Sequence, residues 1–472
     1  MLRRPTVLHA REKVMTPHAG PMVPVSSAAP GGTLAARFPR GFLWGAATSA
    51  HQVEGGNQWN DWARFEKQKG VIHGGDASGV AVDHWHRFDA DFALAAADHH
   101  NAHRLSFEWS RIEPEPGRIE PGAVRHYHEV LASLKAHGLK PVVTLHHFTN
   151  PLWIADRGGW ESRETLDRFD DYVRFCAREF GGEVDWWCTV NEPEVFAFRG
   201  WSEGIWPPAV RDNSRALAVI ANQLEAHARA YHILHAEDRI DADGDGRAAL
   251  VGFAKHVPLL EPLRPWFPLD PLLAFFENRV FNEAVIAAPV TGVVDLSIPG
   301  ARGVKRRVDG LAGALDWMGL NYYTRWKVKS LVKDPHVAAS GATVNDLGWE
   351  VYPAGIETAL RMVALAGKPV LVTENGVADA TDRLRPRALV ETLGHVARAI
   401  ERGTPVIGYF HWSLLDNFEW ADGYRGRFGL YRVDFARPEL LRVRTRSAEV
   451  FSRIAEAGGI TSALAGEVGA AI

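Results

Sequence analysis

The chain has 472 residues, 46% of them hydrophobic, which is enough for a large core and too apolar for a disordered polypeptide. Its formal net charge of −4, from 53 basic and 57 acidic residues, gives no reason to expect a nucleic acid or an anionic membrane as partner. The two cysteines, Cys176 and Cys188, exclude a disulfide framework and make a poor metal site; both lie in apolar stretches and read as buried free thiols.

In chain order, residues 1–36 are rich in Pro, Gly, Ala and Ser and predict a disordered N-terminal extension. Arg3 and Arg4 are followed by no apolar stretch, so a secretory signal is not expected. No run of about 18 apolar residues predicts a membrane span, and a cytoplasmic enzyme is the default. Eight short apolar runs follow, at Phe42–Ala47, His103–Phe107, Pro141–Leu145, Trp186–Val190, Leu250–Phe253, Trp317–Leu320, Val370–Thr373 and Val406–Phe410. Amphipathic stretches separate most of them, among them Ala123–His137, Arg163–Phe180, Ser214–His235 and Ala388–Arg402. In the first of these, Val124, Tyr127, Val130, Leu131 and Leu134 recur at helical spacing. Strands alternating with helices predict an α/β protein with a single (β/α)8 TIM barrel over residues 37–460, with a doubly wound open sheet as the alternative. Residues 461–472, rich in Ala and Gly, predict a flexible tail.

Two stretches carry weak metal-like patterns. Asp241-Ala242-Asp243-Gly244-Asp245-Gly246 matches half of a calcium loop, but the twelfth position is Gly252, where a bidentate Glu is required. An acidic turn before a strand explains it as well, and no metal is expected. His99, His100 and His103 read as surface or packing residues.

The chemistry lies at two strand ends. The fourth strand runs into Asn191-Glu192-Pro193 and the seventh into Glu374-Asn375-Gly376. Side chains at the C-terminal ends of barrel strands point into the site. Strands four and seven are expected on opposite sides of the ring, with the two carboxylates facing each other across its mouth. Glycoside hydrolysis uses such a pair: one protonated carboxyl for the leaving oxygen, one carboxylate for the anomeric carbon. Taken singly, each Glu could equally cap a strand or pair with an Arg. The 17 Trp residues suit both a core and the stacking of sugar rings.

Several separated segments then resemble glycoside hydrolase family 1, the β-glucosidase family: Phe38-Pro39-x-Gly41-Phe42-x-Trp44-Gly45, Gln52-Val53-Glu54-Gly55, Glu108-Trp109-Ser110-Arg111, Thr189-Val190-Asn191-Glu192-Pro193, Gly319-Leu320-Asn321-Tyr322-Tyr323, Gly348-Trp349-Glu350, Thr373-Glu374-Asn375-Gly376 and Trp412-Ser413-Leu414-Leu415-Asp416-Asn417-Phe418-Glu419-Trp420. The resemblance spans about residues 37 to 460 and, in some segments, is nearer the archaeal-type branch. It implies retention of anomeric configuration, no cofactor, and small β-glycosides or β-linked oligosaccharides as substrates; a homo-oligomer is left open. It also implies Glu192 as acid/base and Glu374 as nucleophile. Arg104 and Tyr323 would hold the nucleophile, with Asn321 in support, and Asn191 would meet the sugar 2-hydroxyl. Gln52, His147, Glu419 and Trp420 would bind other hydroxyls, Trp412 would underlie the ring, Trp349 would face the aglycone, and Phe428 would line the site. Glu419 would repel a 6-phosphosugar, so non-phosphorylated glycosides are expected.

One departure stands out. After His147 the family has Trp then Asp, and here Phe148 and Thr149 follow, so an indole donor to the sugar is missing. Weaker glucose binding, or a relaxed choice among glucose, galactose and fucose, is the expected result. Two rival functions share the pattern: a transglycosidase with the same carboxylates, and a silent sugar-binding barrel, which the presence of both Glu192 and Glu374 opposes.

Overall fold

The computed structural model describes residues 33–472. Eight parallel strands close into a barrel: β1 (Leu43–Ala47), β2 (Ala102–Ser106), β3 (Lys140–His146), β4 (Trp186–Asn191), β5 (Leu250–His256), β6 (Trp317–Asn321), β7 (Val370–Asn375) and β8 (Val406–Trp412). Sequence order is ring order, with β8 pairing back onto β1. All eight expected runs are strands, and the open-sheet alternative is excluded by this closure. One placement needs correcting: β4 and β7 are three steps apart around the ring rather than diametrically opposed.

The helices follow the periodicity. Arg163–Phe180 is a helix with the expected bounds, and Pro121–Ala136, Asn213–Glu237 and Arg385–Glu401 lie within three residues of theirs. Pro121 sits in the first turn, where its missing N–H costs nothing, and Glu120 accepts the Gly122 N–H. Their buried stripes, such as Leu166, Phe169, Val173, Cys176 and Phe180, pack on the outer faces of the strands in the larger core cluster.

Inside the barrel, Leu43, Val142, Trp186, Cys188, Leu250, Trp317, Leu371 and Phe410 belong to a second cluster. Large rings there require glycine opposite them. A Cβ on Gly252 would lie 2.5 Å from the Trp317 indole, so that position takes hydrogen alone. Both cysteines are buried free thiols.

The chain ends differ from expectation. Leu34–Arg37 is a strand paired antiparallel with Gly459–Thr461, so the part of the expected extension from Leu34 to Ala36 is structured; residues 1–32 lie outside the described residues. The tail expected to be flexible contains the helix Ser462–Val468, capped by the Thr461 side chain and anchored by buried Leu464 and Ala465. The Ala- and Gly-rich composition concealed a capping threonine and a buried leucine, which together suffice for two turns against the barrel. No described helix is long and apolar enough to cross a membrane.

Candidate active site

Three strands lose their regular pairing register at their C-terminal ends: β4 between Cys188 and Asn191, β6 between Leu320 and Asn321, and β7 between Val372 and Asn375. Regular alternation would send neighbouring side chains to opposite faces, and such irregularities re-aim them. They fall where Asn191, Glu192, Asn321 and Glu374 must converge. Pro193 disfavours the right-handed helical conformation for the residue before it, and Glu192 sits instead at φ 44°, ψ 63°. A non-glycine residue held there is strained, a state that persists only where surrounding structure fixes it.

A continuous hydrogen-bonded network links the two carboxyls. Asn321 Nδ2 donates to Glu192 Oε1 at 2.8 Å and to Asn191 Oδ1 at 3.2 Å. Arg104 donates through Nη2 to Asn191 Oδ1 at 2.7 Å and through Nη1 to Glu374 Oε1 at 2.5 Å. Tyr323 donates its hydroxyl to Glu374 Oε2 at 2.6 Å. Each Glu374 oxygen thus faces a fixed donor. Arg104 is 1% exposed, so its charge meets Glu374 with little screening by water.

The environments of the two carboxyls differ. Burial pushes Glu192 well above the usual carboxyl range, the negative charge of Glu374 pushes it further, and the Asn321 hydrogen bond opposes both. Burial and the charge of Glu374 likewise hold the Tyr323 phenol well above its ordinary value, so it remains a donor.

The remaining predicted residues surround this network. His147 Nε2 lies 3.3 Å from Asn191 Nδ2, and its ring lies nearly parallel to Trp412 and Trp420, with centroids 6.0 and 6.2 Å away. Gln52 Nε2 donates to Asn417 Oδ1 and the Phe418 carbonyl, both at 2.9 Å, and reaches Glu419 Oε2 at 3.4 Å. Burial, then Asp422 and Glu374, push the Glu419 carboxyl up to about 8. Trp349, half-buried, and Phe428, buried, flank Tyr323 with centroids 5.8 and 6.0 Å away. Phe148 is buried against Phe196, Trp206 and Trp420, and Thr149 donates to Glu108 at 3.0 Å. Every site residue singled out in the sequence therefore lies in or against one cluster.

Sequence reading missed three neighbours. His256, at the end of β5, places Nδ1 3.7 Å from Glu192 Oε1; burial and the Lys255 charge push its pKa down to about 3, so it faces Glu192 as a neutral ring. The strand-end rule that found Glu192 applies equally to β5. Thr373 donates to Asn321 Oδ1 at 2.6 Å, which leaves the Asn321 amide N–H groups directed at Asn191 and Glu192. The third is Glu194, in a fully buried ion pair with Lys255 at 2.7 Å beside the Glu192 turn.

The acidic turn before β5 brings oxygens of Asp185, Asp241 and Asp243 within 4.8 Å of one another. Asp185 accepts the Ala242 and Asp243 amides, Asp241 accepts those of Gly244, Asp245 and Gly246, and Lys140 pairs with Asp243.

A family model, "Glycosyl hydrolase family 1", matches residues 34–460. Beta-glucosidase A of Thermotoga maritima is 32% identical over 90% of this chain and 99% of its own. A beta-galactosidase of Pyrococcus woesei is 30% identical over 91% of this chain and 99% of its own. Among solved structures, a beta-glycosidase from Pyrococcus horikoshii superposes with a TM-score of 0.82 at 35% identity, covering 92% of this chain and 98% of that one. With the barrel, its strand-end carboxyls and this match over most of the sequence, the chain belongs to glycosyl hydrolase family 1.

Proposed function

We propose that the protein is a retaining, exo-acting β-glycosidase that hydrolyses non-phosphorylated β-glycosides, β-glucosides foremost, with Glu192 as acid/base and Glu374 as nucleophile. The observation that carries this reading is the unequal treatment of two carboxyls in one network. Glu192 is driven towards its protonated form, while both oxygens of Glu374 are met by Arg104 and Tyr323.

In the first step Glu374 attacks the anomeric carbon as the glycosidic C–O bond breaks. Glu192 gives its proton to the departing oxygen, leaving a glycosyl ester on Glu374 and an ionised Glu192. The Glu374 charge that raised the Glu192 pKa is now gone, so that pKa falls and Glu192 stays ionised, ready to act as general base for water. Water attacks the same carbon, gives its proton to Glu192 and releases Glu374, and the starting protonation returns. Asn191 and His147 offer donors beside the ring, Gln52 and Glu419 lie further along the wall, and the Trp412 face supplies a surface for sugar C–H groups. The relatives named beta-glucosidase and beta-galactosidase support a glucose or galactose glycone.

The test is the initial rate on p-nitrophenyl β-D-glucoside for wild type and Glu374→Gly, with and without azide. Wild-type turnover, a loss of about 10⁴-fold or more in the variant, and azide rescue with α-glucosyl azide as product are expected. Turnover by the variant without azide would reject Glu374 as nucleophile.

A further inference from the structure

The two carboxyls of the site are anchored by different means. Glu374 has a side-chain donor on each oxygen. Among the described residues the Glu192 carboxyl has one, Asn321, so its aim depends on its own backbone, which sits in the left-handed region at φ 44°. Such a conformation persists only where its surroundings enforce it. The Glu192 N–H donates to the Ala254 carbonyl at 2.8 Å, which ties the turn to β5 from one side. Two residues on, Glu194 ties it from the other. Its Oε1 accepts Lys255 Nζ at 2.7 Å and the His256 N–H at 3.0 Å. Lys255 Nζ also donates to the His256 carbonyl and reaches Asn282 Oδ1 at 3.4 Å. The pair therefore holds both polar groups of the His256 main chain. The ring carried by that main chain lies against Glu192, with Nδ1 3.7 Å from Oε1.

We propose that the Lys255–Glu194 pair is a positioning device for the acid/base: it clamps the Glu192 turn onto the end of β5 and so aims the Glu192 carboxyl at the departing oxygen. The inference rests on the reading of Glu192 as acid/base. Both side chains of the pair are 0% exposed, so neither touches a sugar and their effect passes through Glu192. Burying two charges costs desolvation that their attraction seldom outweighs, and apolar side chains of the same volume would serve stability as well. Apolar side chains cannot accept one main-chain N–H and donate to the neighbouring carbonyl, which is what this pair does at His256. The clamp has a selective consequence. A phenoxide departs only with a proton from the acid, whereas 2,4-dinitrophenolate departs as the anion. A misaimed Glu192 therefore slows the first departure far more than the second, while a loosened barrel or a displaced nucleophile slows both alike.

The experiment compares kcat/KM, which reports formation of the glycosyl ester, on phenyl and 2,4-dinitrophenyl β-D-glucoside in the full chain. Removing one partner alone would strand a buried charge, so both are neutralised together, as Glu194→Gln with Lys255→Met. The ratio of phenyl to dinitrophenyl kcat/KM is expected to fall about tenfold in this double variant. Circular dichroism and the dinitrophenyl rate report that it is folded. Glu194→Asp keeps both charges and shortens one arm of the clamp; its ratio is expected to fall about threefold, and it decides the matter if the double variant does not fold. Glu192→Gln, run in parallel, is expected to lower the ratio about 100-fold or more. An unchanged ratio in folded clamp variants, beside that fall in Glu192→Gln, overturns the clamp alone. An unchanged ratio in Glu192→Gln itself overturns the acid/base reading and the clamp with it.

Discussion

Asn321 shows how one side chain can set two others. Its carbonyl is occupied by Thr373 and its amide is shared between Asn191 and Glu192, so its donor meets Glu192 at 2.8 Å. That bond favours the ionised carboxyl and counteracts burial and Glu374. Asn321→Ala should therefore move the basic limb of the kcat/KM profile to higher pH, while lowering kcat about 10- to 100-fold. A limb that moved to lower pH would refute this role. Phe148 makes the opposite point, through what it lacks. Its ring fills an aromatic pocket against Trp420 and Trp206 and offers no donor. Phe148→Trp should change the ratio of glucoside to galactoside kcat/KM by about tenfold, the scale of one gained hydrogen bond. An unchanged ratio would remove Phe148 as a determinant of glycone choice.

Among the elements, the strand ends matter most. The register breaks at the ends of β4, β6 and β7 allow Asn191 and Glu192, adjacent in sequence, to join one network. No hydrophobic pattern encodes such a break, because the apolar run that identifies a strand has ended by then. The turn before β5 matches only half of a calcium loop in sequence, and in the fold Asp241 accepts the amides of Gly244, Asp245 and Gly246. Melting temperature in chelator and in added calcium should agree within about 1 °C, because one ion bound to the native state alone would add stability in proportion to its saturation. A calcium-dependent rise that Asp241→Asn abolishes would reverse that conclusion.

At the scale of the whole molecule, burial sets the pH dependence of stability, and in opposite senses. Buried His100, His146 and His227 are held down at about 4, and His256 and His411 at about 3. The unfolded chain takes up these protons near the ordinary histidine value, so this contribution is lost as pH falls through about 6.5 towards 4. Burial pushes Asp238 up to about 7, with only Trp187 donating a side-chain hydrogen bond at 2.8 Å. There the folded state holds a proton that the unfolded chain has released, so stability falls as pH rises from about 4 through 7. Asp238→Asn keeps an acceptor for Trp187 and removes the titration. The melting temperature of the variant relative to wild type should rise between pH 5 and pH 8; a relative fall would contradict the assignment.

By itself the sequence determined the eight strands, their order and the residues at their ends. Apolar periodicity is local, and a right-handed succession of strand and helix leaves few ways to close. Thus Trp186–Val190 and Val370–Thr373 were legible as strands, and Glu192 and Glu374 as their terminal carboxyls. Only the tertiary structure decided how those carboxyls differ. The asymmetry arises from Arg104 on β2, Asn321 on β6 and Tyr323 just beyond it, which are remote in sequence and brought together by closure of the barrel. The same holds for His256 beside Glu192 and for the helix Ser462–Val468 in place of a loose tail. Proton affinity depends on desolvation and on charges a few ångströms away, and neither is a property of a residue's place along the chain.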